Sequence, residues 1–190
     1  MLKSKEDIVH LLNSDREVME ILQVVKTLNL PDWWVCAGYI RAKIWDALSG
    51  YDEPTRTADV DVIYFNPNQL DEQIEKQLEE KLISLMPHIP WSVKNEARMH
   101  MVNQIPAYTS AEDAISKFPE TVTALGLKLD EENEVVLAAP WGLTDVLKLE
   151  VNPTPYFLET KERMAIYEKR IKEKDWTSIW SKVTVIHRDK

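Results

Sequence analysis

The chain has 190 residues, a formal charge of −9, 44% hydrophobic residues and seven tryptophans. That length and apolar content support one domain with an aromatic-rich core, while the acidic balance argues against gripping long nucleic acid by bulk charge and leaves room only for a local basic patch. The single cysteine, Cys36, excludes an internal disulfide and a cysteine zinc cluster; no apolar run reaches the ~18 residues of a membrane span and no signal-peptide core opens the chain, so a cytoplasmic protein with no membrane partner is expected.

Residues 5–13 and 15–29 carry the helical period, the second through Val18, Ile21, Leu22, Val25 and Leu28, with Ser14 as its cap and Pro31 closing the segment. The run "WWVCAG", 33–38, predicts a buried strand that ends in glycine. A helix follows, with Ile40, Ile44, Trp45 and Leu48 on one face and Gly50 as its stop. A polar loop, 51–58, leads into a strand at 59–65. Asn68 is placed to cap a charged helix over about 69–86, which Pro87 and Pro90 end. The stretch "WSVKNEARMHM", 91–101, reads as an unusually polar strand. Ser110 and Asp113 carry the spacing of a capping box on a short helix. Residues 126–138 predict a hairpin. "APWGLTDVLKLEV", 139–151, predicts a turn, a short helix and an exit strand; a last charged helix covers 159–174. No internal repeat or linker interrupts the chain. The simplest parse is one α+β domain over 1–190, with a helical segment at about 1–30 and the 159–174 helix at its other end.

Within "TRTADVDVIYFNP", Asp59 and Asp61 lie one residue apart in a strand of Val60, Val62, Ile63, Tyr64 and Phe65. Alternation puts both carboxylates on one face, where they repel unless a cation lies between them. Upstream, Gly38 opens a helix, and a helix N-terminus offers unpaired N–H groups and a positive dipole end to phosphate. A strand, a helix and a second strand would set Gly38 beside the aspartate face. Together these parts suggest a site for a polyphosphate bound with Mg²⁺, a hard ion that takes carboxylate oxygens and shares its ligands with substrate phosphates.

These residues, with "WWVCAGYIRAKIWDAL", "WSVKNEARMHM" and "APWGLTDVLKL", resemble the DNA polymerase β-like nucleotidyltransferase superfamily, and more narrowly a bacterial nucleotidyltransferase-like family, over roughly residues 30–180. The resemblance implies a small mixed or antiparallel sheet flanked by helices. It matches Asp59 and Asp61 to a metal-binding pair and Gly38 to the second residue of a glycine turn. Ala37 and Tyr39 flank that glycine, so the usual small residue after it is absent. Arg41, one turn into the helix, matches an arginine carried near the triphosphate. A third carboxylate is expected from a later strand, with Glu96 and Asp145 as the two candidates. The implied chemistry moves a nucleoside monophosphate from an NTP to an acceptor hydroxyl. Two Mg²⁺ ions, or Mn²⁺, would sit about 3.5–4 Å apart at Asp59 and Asp61, with Glu96 as third ligand or base. Tyr39 joins Gly38 at the nucleotide, and Arg41, Arg56, Lys94 and Arg98 are the available phosphate cations.

The plainer readings stand beside these. Asp59 and Asp61 can face solvent with Arg56 as a salt-bridge partner. Arg41 reads first as a solvated helix residue, Cys36 as a small core residue, and Trp141 as packing before base stacking. The charged faces of the 69–86 and 159–174 helices read as ordinary solvated surface. The acidic balance favours a small molecule or protein side chain as acceptor over a long nucleic acid, with a tRNA end left open. The rival to the enzyme is a catalytically silent nucleotidyltransferase-like fold that binds nucleotide or protein.

Overall fold

The computed structural model describes residues 2–187; the outermost positions of the predicted 1–190 domain lie outside them. In chain order the elements are α1 (Lys5–Ser14), α2 (Arg16–Lys26), β1 (Trp34–Cys36), α3 (Gly38–Ser49), β2 (Val60–Tyr64), α4 (Glu72–Leu85), β3 (Trp91–Asn95), α5 (Glu96–Asn103) and α6 (Ala111–Ser116). They continue with β4 (Gly126–Leu129), β5 (Val135–Ala138), α7 (Thr144–Lys148), β6 (Glu150–Val151), α8 (Pro155–Leu158), α9 (Lys161–Glu173), α10 (Trp176–Ile179) and β7 (Thr184–Val185).

Five strands form one sheet in the order β3-β2-β1-β4-β5. Only β2 and β3 run parallel; the β1–β2, β1–β4 and β4–β5 pairs are antiparallel. The predicted α+β class with a mixed sheet is the one found. On one face Val35, Val60, Val62, Tyr64, Val93 and Leu127 join the main core with Ile8, Leu12, Ile21, Ile40 and Trp45 from the first three helices. The other face is thinner: Trp34, Cys36, Ile63 and Ala138 meet Ala111 and Ile115 of α6. Partners aligned across strands share a face. Ser92, Asp61, Cys36, Gly126 and Ala138 therefore make a single row across this second face. The row is tight at Gly126, where an added Cβ would lie 2.7 Å from Ile115 Cδ1.

Several local expectations are corrected. Asp15 rather than Ser14 caps α2, its carboxylate accepting from Val18 N–H at 3.1 Å, and α2 ends at Lys26 rather than 29. Asp71, not Asn68, caps α4. The polar strand predicted over 91–101 stops at Asn95, where the chain turns into α5. The cause is Asn95 itself. It is buried, its Oδ1 accepts from Ala97 N–H and Asn66 N–H, and its amide donates to the carbonyls of Asn66 and Gln69. Such a side chain is a helix cap, and Glu96–Ala97–Arg98–Met99 are good helix formers behind it.

The α4 face predicted as solvated carries a buried acid. Glu75 is 1% exposed; it and Glu79 accept from Asn95 N–H and Val93 N–H, each at 3.2 Å. Two carboxylates one helical turn apart thereby occupy donors of the outer strand β3 that would otherwise invite another strand. At the C-terminal end, Trp45 of α3 meets Trp176 and Trp180 edge-on, with centroids at 6.3 and 5.1 Å. Asp46 holds this corner together, accepting from Trp180 Nε1 (2.8 Å), Thr55 N–H (2.7 Å) and Thr55 Oγ1 (2.7 Å). Among the described residues no helix is long and apolar enough to cross a membrane.

Candidate active site

The site grows from the end of β1. Cys36 aligns with Asp61 on one side and Gly126 on the other, and the next two residues turn the chain into α3. Ala37 takes φ 62°, ψ −131°, a conformation that favours glycine, while its N–H bonds Leu125 O at 3.1 Å. The strained residue of the turn is thus Ala37, not Gly38, which has no positive φ. Gly38 contributes space: a Cβ there would meet only Arg41 Nη2, at 3.9 Å. No side chain caps α3, so its leading N–H groups are open to an anion.

Asp59 is exposed and Asp61 half-buried. Burial and the neighbouring Asp59 push the Asp61 carboxyl up to about 6, against the pull of the Ser92 hydroxyl, Arg170 and Lys174. Glu96 reaches the same space from the first turn of α5. It is 6% exposed, and burial, then Asp61 and Glu75, push it up to about 8, opposed by Lys94. Cys36 is wholly buried; burial, then Asp61, Glu96 and Asp59, raise its thiol, which is the environment of a core residue and not of a nucleophile. Asp59, just ahead of β2, acts on Asp61, and Asp61 acts on Glu96. Asp145 is not among the acids acting there; its Oδ2 accepts from Thr121 Oγ1 at 2.6 Å.

The cations sort differently from the sequence expectation. Arg41, read first as solvated, is 7% exposed. Its guanidinium lies over Trp45 (4.9 Å), Trp180 (5.1 Å) and Trp176 (5.2 Å), and its Nε has no hydrogen-bond partner. Burial lowers its pKa to about 10, with Glu120 acting in the opposite direction. Arg98 is held bidentate by Glu75, at 2.8 and 2.9 Å, and Lys94 lies 3.8 Å from the same carboxylate. Both are engaged with α4. Arg56 is exposed and, with Tyr39, Lys43, Thr57, Val60 and His88, lines a cavity of about 630 Å³ beside the aspartate strand. Tyr39 leaves the glycine turn unobstructed by turning its hydroxyl to Glu17, at 3.2 Å. Trp141, expected to pack, is 43% exposed with its Nε1 donating to Ser116 O.

Sequence reasoning missed Ser92, Glu120, Arg170 and Lys174. Ser92 could have been read from the parallel register with Asp61 had the β2–β3 pairing been known. Nothing local marks the other three, which reach the site only by tertiary packing.

Asp59 and Asp61 supply hard oxygen donors, and their mutual repulsion is relieved by a divalent cation, so the donor set fits Mg²⁺. Among the described residues no three His, Cys, Asp or Glu side chains close on one point as a metal group. A two-carboxylate set is what Mg²⁺ uses when substrate phosphates and water complete its shell.

A family described as nucleotidyltransferase matches residues 23–185. A solved structure described as revealing a CCA-adding enzyme head domain is 36% identical, with a TM-score of 0.89 over 99% of this chain and 98% of that one. The Thermotoga maritima CCA-adding enzyme complexed with tRNA is 14% identical, with a TM-score of 0.52 over 95% of this chain and 42% of that one. A CCA-adding enzyme complexed with CTP is 10% identical, with a TM-score of 0.55 over 97% and 44%. These two show a shared fold, and the present chain spans under half of their length. No curated protein matches.

Proposed function

As the chain belongs to the nucleotidyltransferase family, we propose that it moves a nucleoside monophosphate from an NTP to an acceptor hydroxyl at the Asp59–Asp61 face. The observation that carries this reading is the register of Asp61 with Cys36, which sets a carboxylate pair two residues from the uncapped N-terminus of α3. A phosphate chain can then meet carboxylates at one end and backbone N–H groups at the other.

Asp59 and Asp61 would hold the divalent cation. When bound, that ion supplies a Lewis acid for the phosphoryl oxygens and lowers the pKa of a coordinated hydroxyl. The remaining work falls to the chain. The acceptor oxygen bonds the α-phosphorus as the α–β phosphoanhydride bond breaks, and the Gly38, Tyr39 and Ile40 N–H groups orient the far phosphates, which leave as pyrophosphate. Arg41, its charge unneutralised by any hydrogen-bonded carboxylate, provides positive potential behind that turn. Glu96 takes the acceptor proton on its carboxylate, and a carboxyl raised to about 8 is matched to that exchange near neutral pH. Most of the rate effect would be positional and electrostatic.

For the acceptor, the 36%-identical relative is described as a CCA-adding enzyme head domain, which supports a nucleic-acid end beside the small molecule or protein favoured by overall charge. The test is transfer of α-labelled NTP, with Mg²⁺ or Mn²⁺, to a cell extract split into RNA, protein and small-molecule fractions. Label carried by the wild type and not by Asp59→Asn/Asp61→Asn supports the reading and names the acceptor class. Equal labelling by both sinks it. A nucleotide-binding module without catalysis is the second reading, and NTP binding without transfer would select it.

A further inference from the structure

We propose that α9 and the residue that caps it, outside the strand–helix core that carries the family signature, complete the nucleotide site: Arg170, braced by Glu120, and Lys174 bind the β- and γ-phosphates. This rests on the nucleotidyl-transfer reading above and assigns two residues that no part of that reading uses.

The geometry begins with Glu120, which is 0% exposed. One oxygen accepts from Arg170 Nε at 2.5 Å and the other from Thr123 Oγ1 at 2.7 Å. Glu120 also accepts, through its carbonyl, from the N–H groups of Thr123 and Ala124, so it is rigidly seated. The same short segment ends at Leu125, whose carbonyl receives the Ala37 N–H at 3.1 Å. The brace for Arg170 is therefore tied directly to the turn that opens α3.

Only Arg170 Nε is committed to Glu120 by a hydrogen bond. The Arg170 side chain is 39% exposed, and its two Nη groups keep the other four of a guanidinium's five N–H donors. A guanidinium held at Nε and open at Nη is pre-ordered for bidentate phosphate contact. Lys174 is the exposed C-cap of α9, in an extended conformation, with its N–H donating to Arg170 O. Arg170 and its partner Glu120 both act on Arg41, whose Nη2 lies 3.9 Å from where a Cβ on Gly38 would stand, so the braced pair sits behind the α3 turn. Arg41 lies in the same wall, clasped by Trp176 and Trp180 from the segment that follows α9. Arg41 and Arg170 thus share one neighbourhood of a chain with a net charge of −9, with the buried carboxylates of Glu120 and Asp46 acting on Arg41. An ordinary structural ion pair explains the Arg170–Glu120 contact alone. It does not explain why, among the described residues, the Arg170 Nη groups make no hydrogen bond beside Arg41, whose own Nη2 lies 3.9 Å from where a Cβ on Gly38 would stand at the opening of α3.

The experiment is calorimetric titration of the whole chain with inorganic tripolyphosphate in EDTA, and separately with NTP and MgCl₂. The variants are Lys174→Ala, Arg170→Ala, Arg170→Lys and Asp59→Asn/Asp61→Asn. Tripolyphosphate affinity should fall about tenfold or more in Arg170→Ala and several-fold in Lys174→Ala. Arg170→Lys should recover part of the loss, which a merely structural role would not show. The aspartate variant should keep tripolyphosphate binding and lose Mg²⁺-dependent NTP binding. Wild-type affinity in both Lys174→Ala and Arg170→Ala overturns the inference and leaves the transfer reading standing. If Arg170→Ala fails to fold, Lys174→Ala, an exposed position, decides alone. A wild type that binds neither ligand overturns both.

Discussion

Glu96→Gln tests the electrostatics of the site through stability. In the native state the Glu96 carboxyl is held up to about 8 from its ordinary 4.5. Between those values the folded protein keeps a proton that the unfolded chain has released. A native state that binds more protons is favoured at low pH, so this group's contribution is fully present below pH 4.5 and is lost as pH rises through about 8. The difference of roughly 3.5 at about 1.36 kcal/mol per pH unit corresponds to about 5 kcal/mol. Glu96 is 6% exposed, so solvent screens little of it. For a chain of this size that amounts to a Tm change of about 10–20 °C across the window. The assay is thermal melting of wild type and Glu96→Gln in EDTA from pH 4.5 to 9. The wild type should lose several degrees more than the variant between pH 5 and 8.5, whatever the fixed cost of a buried amide. Parallel profiles would refute the reasoning, because they would mean that Glu96 is ionised in the native state without penalty.

Three further outcomes are expected. Arg41→Met should leave urea stability within about 1 kcal/mol, since an apolar side chain replaces a buried, partly unsatisfied charge, yet weaken tripolyphosphate binding about tenfold or more in the same preparation. Asp46→Ala should lower stability by about 2–4 kcal/mol in urea titration, because it strands Trp180 Nε1, Thr55 N–H and Thr55 Oγ1. Ala37→Gly should stabilise the chain by up to about 1 kcal/mol by relieving the positive φ, whereas Ala37→Val should destabilise it; equal melting of all three would show the turn to be unstrained.

Much was legible in the chain alone. The two amphipathic N-terminal helices, the short apolar strand, the helix ended by Gly50, the aspartate strand and the 126–138 hairpin all follow from periodicity and turn chemistry, which are properties of neighbours in sequence. The strand expected over 59–65 is likewise local, although it runs only from Val60 to Tyr64 and leaves Asp59 just ahead of it. The reading failed where a single side chain reset the backbone, at Asn95, because a cap works through partners such as Asn66 and Gln69 that lie far away in sequence. It failed again wherever charge was judged from helix position. Glu75 is buried because it meets an outer strand, and Arg41 because three tryptophans from two segments close over it.

Local pattern therefore determined which residues form strands and helices, and hence that two acids and a glycine turn exist. Tertiary structure alone decided which charges meet: Asp61 acts on Glu96 while Asp145 accepts from Thr121, Arg170 of α9 bonds Glu120, and Glu75 of α4 holds Arg98. The physical reason is range. Backbone preferences act over a few residues, whereas electrostatic neighbours are chosen by packing, and packing joins parts of the chain that no window of sequence contains.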